Sequence, residues 1–319
     1  MKIIFFGTPQ SAVPSFFKIL ENGHRIELVI TQPDKPTGRG KTFTPPPLKE
    51  AAQKFGIPVY QPLKIREDSF AFEKIKEINP DLIVVVAYGQ IIPASIIYHP
   101  KYGSVNVHFS LLPKYRGAAP VQWTILNGEK TTGVSIFRLN EKMDEGDILS
   151  QKEVEILPNE KGSHLEARLA EIGAELLVDT ISKLKEGKIK PKKQNHSLAS
   201  YAPKLKKEDG LINWSQTSQE IDRLVRAMDP WPSAYSFIQG KRIKITDGKV
   251  FESPSSLADS YSFGKIWKIT PEGIFVTCGK STVYLIEQVQ PEGKKKMSAY
   301  SFTLGARLKP GEKFDSSLE

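Results

Sequence analysis

The stretch DLIVVVAYG, residues 81–89, holds an unbroken run of leucine, isoleucine and valine that ends in alanine, tyrosine and glycine. A strand with one face in water alternates apolar and polar residues, whereas a strand covered on both faces is apolar throughout. The stretch therefore predicts an inner strand of a sheet that has helices packed against both of its faces.

Other strand-like runs accompany this one along the first half of the chain, with helix-compatible sequence between them. They are KIIFFG (2–7), RIELVIT (25–31), GSVNVHF (103–109) and TGVSIFRL (132–139). Alternation of strands and helices is typical of α/β proteins with a parallel sheet. The sequence thus predicts a Rossmann-like α/β fold, an open and mostly parallel sheet with helices on both faces.

The second half has a different character, because glycine, proline and serine turns separate short strand-like runs. After one helix-like segment, QEIDRLVRAM (219–228), these runs are AYSFIQ (234–239), KRIKITD (241–247), KIWKIT (265–270), GIFVTC (273–278) and TVYLIEQV (282–289). The pattern predicts a small C-terminal β-barrel such as an OB-fold. We expect a Rossmann-like domain at residues 1–189, a basic linker at 190–208 and the barrel at 209–319.

Composition and charge narrow the class of protein. The chain of 319 residues has a net charge of +9, and from residue 190 onward 21 lysines and arginines face 14 acidic residues. Such a surplus suits a polyanionic partner, and it equally suits a solvated lysine-rich surface. Cys278 is the single cysteine, and no apolar run approaches the roughly 20 residues of a membrane span. We therefore expect a cytoplasmic protein without disulfides.

The usual nucleotide-binding signatures are missing from the predicted sheet. The first strand leads into GTPQSA (7–12), which lacks the G-x-G-x-x-G pattern, and the chain contains no Walker loop. A nicotinamide cofactor is therefore not expected.

Three polar residues stand at the end of an apolar strand, where α/β sheets bind their ligands. Asn106, His108 and Ser110 are spaced by two, so their side chains share one face while the chain stays extended. An amide donor beside an imidazole suits an oxyanion that develops on an acyl carbon. A structural histidine, a serine nucleophile and a zinc ligand remain open alternatives, although FSLLP is not a nucleophile elbow and no second histidine lies at metal spacing.

An acidic segment, NEKMDEGDIL (140–149), follows the strand at 132–139 and offers a partner for the imidazole. It presents Asp144, Glu145 and Asp147 around Gly146. Acidic turns are common, so the segment also suits an ordinary polar turn. It is too short for a calcium loop, which needs about twelve residues.

Together, N-x-H-x-S-L-L-P-x-x-R-G (106–117) and M-D-x-G-D (143–147) resemble the folate-dependent formyltransferase superfamily. The resemblance implies that Asn106, His108 and Asp144 are catalytic. It implies folate contacts at Ser110, Leu111, Leu112 and Pro113, and at Tyr88, Gly89 and Ile91 of the stretch AYGQIIP (87–93), which matches the wall of the pterin pocket.

A long Gly/Pro-rich segment, TQPDKPTGRGKTFTPPPLKEAA (31–52), distinguishes branches of this superfamily. It resembles the loop that methionyl-tRNA formyltransferases insert after the second strand to reach the acceptor end of tRNA, and YAPKLKKEDGLINW and RAMDPWPSAY also match that family. The resemblance implies tRNA contacts at Lys35, Arg39 and Lys41. The basic run at Lys294, Lys295 and Lys296 suits phosphate contacts or a solvated turn. Trp214, Trp231 and Trp267 suit core packing better than base stacking.

The resemblance implies a transferase; we expect a monomer, because nothing in the sequence demands more, and no metal, because acyl transfer to an amine needs none. Its expected reaction moves the formyl group of 10-formyltetrahydrofolate to the α-amino group of methionine on initiator methionyl-tRNA, a step of translation initiation. The alternatives are a formyltransferase that acts on a sugar-nucleotide amine and a noncatalytic RNA-binding relative. The basic loop at 31–52 argues against the sugar substrate, and the complete Asn–His–Asp set argues against a protein that only binds RNA.

Overall fold

A computed structural model describes residues 1–37, 42–252 and 262–317. The chain folds into two compact units. The first comprises residues 1–120, 130–156 and 165–203, and the second comprises 121–129, 157–164 and 204–319. Among the described residues, no helix combines the length and the apolar character that a membrane span requires. The domain boundaries expected from the sequence stay a prediction.

Strands and helices alternate along residues 1–203, as the sequence predicts. The strands are β1 Lys2–Gly7, β2 Arg25–Ile30, β3 Lys35–Thr37, β4 Thr42–Thr44, β5 Val59–Tyr60, β6 Leu82–Val86, β7 Ser104–His108, β8 Arg116–Gly117, β9 Thr131–Arg138, β10 Ile148–Glu155 and β11 Tyr201–Ala202. The helices are α1 Val13–Glu21, α2 Pro47–Lys54, α3 Ser69–Ile78, α4 Ala94–Ile97, α5 Pro120–Leu126 and α6 Gly162–Lys185.

Seven of these strands form the main sheet, in the order β10-β9-β7-β6-β1-β2-β5. The pairs from β7 to β5 are parallel, whereas β9 and β10 join antiparallel at one edge. Strand β6 is buried at every residue between β1 and β7, as its apolar run predicts. The expected Rossmann-like, mostly parallel sheet is confirmed, and the antiparallel edge is an addition to it.

The segment 31–52, predicted as a loop, contains regular structure in its described part. Strands β3 and β4 pair antiparallel, with Lys35 opposite Thr44. Helix α2 begins inside the segment at Pro47, where a proline costs nothing because the first helical N–H has no intrahelical partner. The segment is therefore partly a hairpin and partly the first turns of a helix.

The second unit carries the antiparallel strands that the turn-rich sequence predicts. Along residues 204–317 the elements are α7 Ser218–Ala227, β12 Tyr235–Ile238, β13 Lys241–Phe251, β14 Ile266–Thr270, β15 Gly273–Thr277, β16 Val283–Pro291, β17 Met297–Ser298 and α8 Ala299–Ala306. Strands β12 to β16 lie in the order β12-β13-β16-β15-β14, and β17 pairs with β16. Near the C-terminus, Asp315 bridges to Phe237 of β12, and Lys313 bridges to Lys265 just before β14. One segment thus touches both edges of the sheet, which suits the expected barrel-like domain.

Residues of the predicted linker also carry ordered structure. Strand β11 pairs in parallel with β8, with Tyr201 opposite Arg116 and Ala202 opposite Gly117. Gln194 is buried, and Lys192 forms a bridge to Ile148. The segment 192–202 is therefore part of the first unit's fold.

Candidate active site

Strand β7 delivers Asn106 and His108 to the candidate site. It lies between β6 and β9, with Asn106 opposite Val85 on one side and Phe137 on the other. Because side chains alternate along a strand, Asn106 and His108 point to the same face. The apolar residues between and before them are buried, which fixes the register of the polar pair.

His108 is nearly buried, with oxygen atoms on both sides of its ring. Its Nε2 lies 2.9 Å from the carbonyl oxygen of Tyr115, and its Nδ1 lies 3.8 Å from Oδ2 of Asp144. Since a carbonyl oxygen only accepts, Nε2 is the donor in the first contact. That bond holds the ring plane and directs Nδ1 at the carboxylate.

Asp144 reaches the imidazole from a tight turn after β9. Its backbone has φ +52°, the left-handed region that residues other than glycine rarely occupy. Its Oδ2 accepts a hydrogen bond of 2.7 Å from the backbone N–H of Gly117. Gly117 itself has φ +121°, and a Cβ there would lie 2.6 Å from the carbonyl oxygen of Ala202. Only glycine fits between the strand β11 and the carboxylate.

The amide of Asn106 is the free polar group of this site. Its side chain is half-buried and forms no hydrogen bond within the described part of the chain. Its amide atoms are not among the fully buried polar atoms of the described residues, so the group can be reached from outside the protein. It is therefore available to donate to an oxygen of a bound molecule.

The turn Ser110–Pro113, predicted to contact folate, is braced from within the protein. Ser110 is fully buried, and its hydroxyl donates 2.7 Å to the carbonyl of Lys114. Leu112 packs in a small cluster with Phe137 and Ile148, whereas Leu111 is only partly buried. The folate contacts of this turn stay a prediction.

Two residues outside every motif of the sequence analysis support that turn. The hydroxyl of Ser135 donates to the carbonyl of Ser110 and accepts from the N–H of Leu112. The amide of Gln151 donates to Ser135 and to the carbonyl of Leu112. Both residues lie on strands β9 and β10, outside any motif, so only the fold brings them to the turn.

In the stretch Tyr88–Ile91 the phenol ring of Tyr88 is buried, whereas the side chain of Ile91 is exposed. The Tyr88 ring is buried at 5.2 Å from the ring of Phe6, and burial raises the pKa of its hydroxyl. Its carbonyl accepts hydrogen bonds from Thr8 and Gln32. Gly89 has φ +82°, and Ile91 is 62% exposed. Their folate contacts stay predictions, and Tyr88 as a whole is only 2% exposed.

Comparison with known proteins identifies the family at this point. A model of the formyl transferase family matches residues 1–181, and a model of the formyl transferase C-terminal domain matches residues 204–307. The chain belongs to the formyl transferase family. Among similar proteins, the methionyl-tRNA formyltransferase of Geobacter metallireducens is 44% identical over 311 residues, which are 98% of this chain and 97% of that one. The methionyl-tRNA formyltransferase of Bacillus subtilis is 41% identical over 311 residues, 98% of this chain and 96% of that one.

Solved structures share the fold of this formyl transferase at low identity. HypX from Aquifex aeolicus, in complex with tetrahydrofolic acid, has a TM-score of 0.66 and 17% identity. The alignment covers 95% of this chain and 47% of HypX, so this chain spans about half the length of that protein. The sugar 3N-formyl transferase WlaRD has a TM-score of 0.65 and 22% identity over 92% of this chain and 99% of that one.

Lys35, a predicted tRNA contact of this formyl transferase, is held by a hydrogen bond close to Tyr88. Lys35 Nζ donates 2.7 Å to Oε1 of Gln32, whose amide bonds the Tyr88 carbonyl. Nearby, hydrogen bonds from Lys49 and Gln61 lower the pKa of Asp34. Arg39 and Lys41, the other two predicted contacts in this segment, lie outside the described residues.

The basic run at 294–296 lies in the second unit. Burial works against ionisation of Asp247, but the hydrogen bonds from Lys161 and Lys296 outweigh it and lower the pKa of that carboxyl. Lys296 is thus already paired. The exposed side chains of Lys294 and Lys295 form no ion pair in the described part of the chain.

A cavity of about 840 Å³ in the second unit includes one of these lysines. Lys294, Lys241 and Arg242 line it together with Tyr235 and Phe302. The Arg242 guanidinium stacks 3.7 Å above the Tyr235 ring, and its Nε has no hydrogen-bond partner among the described residues. Cationic and aromatic groups therefore lie side by side here.

The three tryptophans singled out in the sequence differ in their surroundings. Trp214 is buried, and Trp267 packs against the rings of Phe251 and Phe275. Trp231 is 51% exposed. Within residues 1–37, 42–252 and 262–317, no three His, Cys, Asp or Glu side chains are grouped to hold a metal ion.

Proposed function

We propose that this protein transfers the formyl group of 10-formyltetrahydrofolate to the α-amino group of methionine on initiator methionyl-tRNA. The similarity to curated methionyl-tRNA formyltransferases over nearly the whole chain supports this choice of reaction. The tetrahydrofolate in the HypX structure supports a folate donor. The observation that carries the chemistry is the unpaired amide of Asn106 beside the His108–Asp144 pair.

The three residues divide the work of acyl transfer to an amine. As the amine attacks the formyl carbon, negative charge develops on the formyl oxygen, and the Asn106 amide donates to it. His108 is proposed to stabilise that charge and to pass the proton that the attacking amine loses to the departing folate nitrogen, for which its Nε2 exchanges the Tyr115 carbonyl for the substrate. The Asp144 carboxylate, 3.8 Å from Nδ1, orients the imidazole during the step. The donor supplies the formyl group, and neither a metal nor a covalent enzyme intermediate is required.

The second unit, which contains the C-terminal part of the chain, is proposed to bind the tRNA. The protein is proposed to act in the cytoplasm as a monomer. The cavity with Lys294, Arg242 and Tyr235 supports this role, because phosphate contacts and stacking on aromatic rings together bind RNA backbones without regard to sequence. Lys35 and the loop segment 31–52 are proposed to guide the acceptor end.

A formyl-transfer assay tests the proposed reaction. Purified protein is incubated with 10-formyltetrahydrofolate and methionyl-tRNA, with parallel samples of uncharged tRNA, free methionine and an amino-sugar nucleotide. The proposal expects formylation of methionyl-tRNA alone. Formylation of the sugar amine in preference to methionyl-tRNA would identify the alternative enzyme, and binding of RNA without any formylation would identify a noncatalytic relative.

Neutralising the unpaired lysines should change how salt affects tRNA binding. If Lys294 and Lys295 contact phosphate, each substitution with alanine removes one contact and flattens the plot of log K against log [salt] by about 0.7 to 0.9. Lys296→Ala should have less effect, since its charge is already paired with Asp247. Filter binding between 50 and 300 mM salt measures the slopes, with Lys183→Ala on α6 as the control. Equal slopes for the Lys294, Lys295 and Lys183 variants would contradict the assignment.

The Ser110 hydroxyl is proposed to support the turn and not to act as a nucleophile. Ser110→Ala removes the hydrogen bond to the Lys114 carbonyl, so we expect the turn and its folate contacts to weaken by about 1 kcal/mol. Formyl transfer should continue, with a higher KM for the folate. Kinetics and mass spectrometry of the stopped reaction check this, and a formyl group found on Ser110 of the wild-type protein would contradict it.

A further inference from the structure

Arg116 carries a buried positive charge beside the candidate site. The residue is 1% exposed and lies on the short strand β8. A buried guanidinium is stable only when it is paired and hydrogen-bonded. Its Nη1 lies 3.2 Å from Oε1 of Glu145, and its Nε and Nη2 donate 3.1 and 2.8 Å to Oε1 of Gln194. The charge of Arg116 is therefore held between Glu145, which follows Asp144, and Gln194, which lies in the predicted linker.

The side chain of Gln194 uses all of its hydrogen-bonding capacity at this point. Its oxygen accepts from Arg116, and its Nε2 donates 2.8 Å to the carbonyl of Asp144 and 2.8 Å to the carbonyl of Gly146. Only an amide accepts and donates in this pattern, because a carboxylate has no N–H and a lysine has no acceptor. Gln194 thus ties the buried charge of Arg116 to the backbone on both sides of Glu145.

The turn that Gln194 holds is one that needs support. Asp144 adopts φ +52°, which for a residue with a side chain is held in place by its surroundings. A Cβ on Gly146 would lie 1.7 Å from the carbonyl oxygen of Arg138, so the turn packs directly on the main chain of β9. Its position relative to His108 is set by these contacts and not by the turn's own preference.

The same segment holds the other neighbour of the imidazole. The hydroxyl of Ser200 accepts a hydrogen bond of 2.9 Å from the N–H of Tyr115, whose carbonyl faces His108 Nε2. The carbonyl of Ser200 accepts from the N–H of Arg116 at 2.8 Å. Residues 194–202, here called the strap, therefore contact the main chain of both residues whose oxygens flank the His108 ring.

We propose that the strap positions the catalytic imidazole, with Gln194 and Ser200 as its positioning residues. Gln194 acts through the backbone of Asp144, and Ser200 acts through the backbone of Tyr115. The proposal rests on the proposed function in one respect, that His108 and Asp144 take part in formyl transfer. Both side chains act through the main chain of their neighbours, so we expect them to affect the chemical step more than the binding of either substrate.

Three variants of the full-length protein test the strap. Gln194→Glu keeps the shape and the contact with Arg116 but cannot donate to the two carbonyls, Gln194→Ala removes all four contacts, and Ser200→Ala removes the bond to Tyr115. A misplacement of about 1 Å at a reacting group costs about 100-fold, so we expect kcat to fall by about 10- to 100-fold in the Gln194 variants and by less in Ser200→Ala. KM for the folate and for methionyl-tRNA should stay within about twofold, and the pH dependence of kcat should change.

The control is Gln53→Ala on the exposed face of α2, for which kcat and its pH profile should match the wild type. Thermal unfolding of each variant separates positioning from folding. A fall in kcat that follows the loss of folded protein, with an unchanged pH profile, would assign the strap a purely structural role. Wild-type kcat in folded Gln194→Glu and Ser200→Ala would overturn the proposal. If the wild-type protein itself does not formylate methionyl-tRNA, the proposed function fails and not the strap alone.

Discussion

Asn106→Ala is expected to lower kcat for formyl transfer by about 100- to 1000-fold while the protein stays folded. Removal of one donor to a developing oxyanion costs that much in other acyl-transfer enzymes. The fold should tolerate the change, because the Asn106 side chain forms no hydrogen bond in the described part of the chain. Single-turnover kinetics with saturating folate and methionyl-tRNA measure the effect on the chemical step itself.

Asn106→Asp is the matched variant for this experiment. It preserves the size of the side chain but replaces the donor with an acceptor that carries negative charge, so it should be at least as slow as the alanine variant. His108→Ala and Asp144→Ala should also lose most turnover, and Asp144→Asn should keep a bond from Gly117 while losing the charge that faces Nδ1. Turnover close to wild type in the alanine variant of Asn106, His108 or Asp144 would disprove the mechanism.

Trp214→Ala is expected to destabilise the second unit by about 3–5 kcal/mol, the usual cost of truncating a buried large aromatic residue. Trp214 is 2% exposed, its ring lies 5.6 Å from that of Phe314, and its Nε1 donates 2.9 Å to Ser236. The variant would leave a large cavity and remove one of the two hydrogen bonds of the Ser236 hydroxyl, which would still donate to the carbonyl of Asp315. Denaturant unfolding followed by circular dichroism measures the change in the free energy of unfolding.

Trp231→Ala provides the comparison, since that side chain is 51% exposed. Its free energy of unfolding should change by no more than about 0.5 kcal/mol, as for most surface substitutions. Measurement of tRNA affinity in both variants separates core packing from base stacking. If Trp214→Ala stayed as stable as the wild type and lost tRNA affinity, its role would be stacking on a base and not packing in the core.

The sheet of the first unit could be predicted from the sequence because a strand buried on both faces consists of apolar residues throughout. Leu82–Val86 is apolar throughout, and the structure places it between β1 and β7 with every residue buried. Strand β10 has no such apolar run and was not predicted. Its exposed Gln151, Lys152 and Glu153 give it a polar centre, because it lies at the sheet edge with β9 as its one neighbour in the main sheet.

The candidate catalytic residues were predicted from a resemblance, and the contacts that hold them had no local signal. His108 and Asp144 meet only because β7 and β9 are neighbours in the sheet. Gln194 stands among lysines in a basic, polar stretch, and its burial depends on a partner 78 residues earlier in the chain. Ser135 is similar, since it is one small polar residue in an apolar strand. Single polar residues of this kind acquire their role from tertiary contacts, which no spacing in the sequence encodes.

The division of the chain between its two units has a consequence for recombination. Residues 121–129 and 157–164 belong to the second unit although residues of the first unit follow each of them in the chain, so the chain passes from one unit to the other five times. In a gene fusion with a single crossover near residue 204, the second unit would combine residues 204–319 of one homologue with residues 121–129 and 157–164 of another. Chimaeras made to exchange the complete second unit between relatives would therefore need three exchanged blocks.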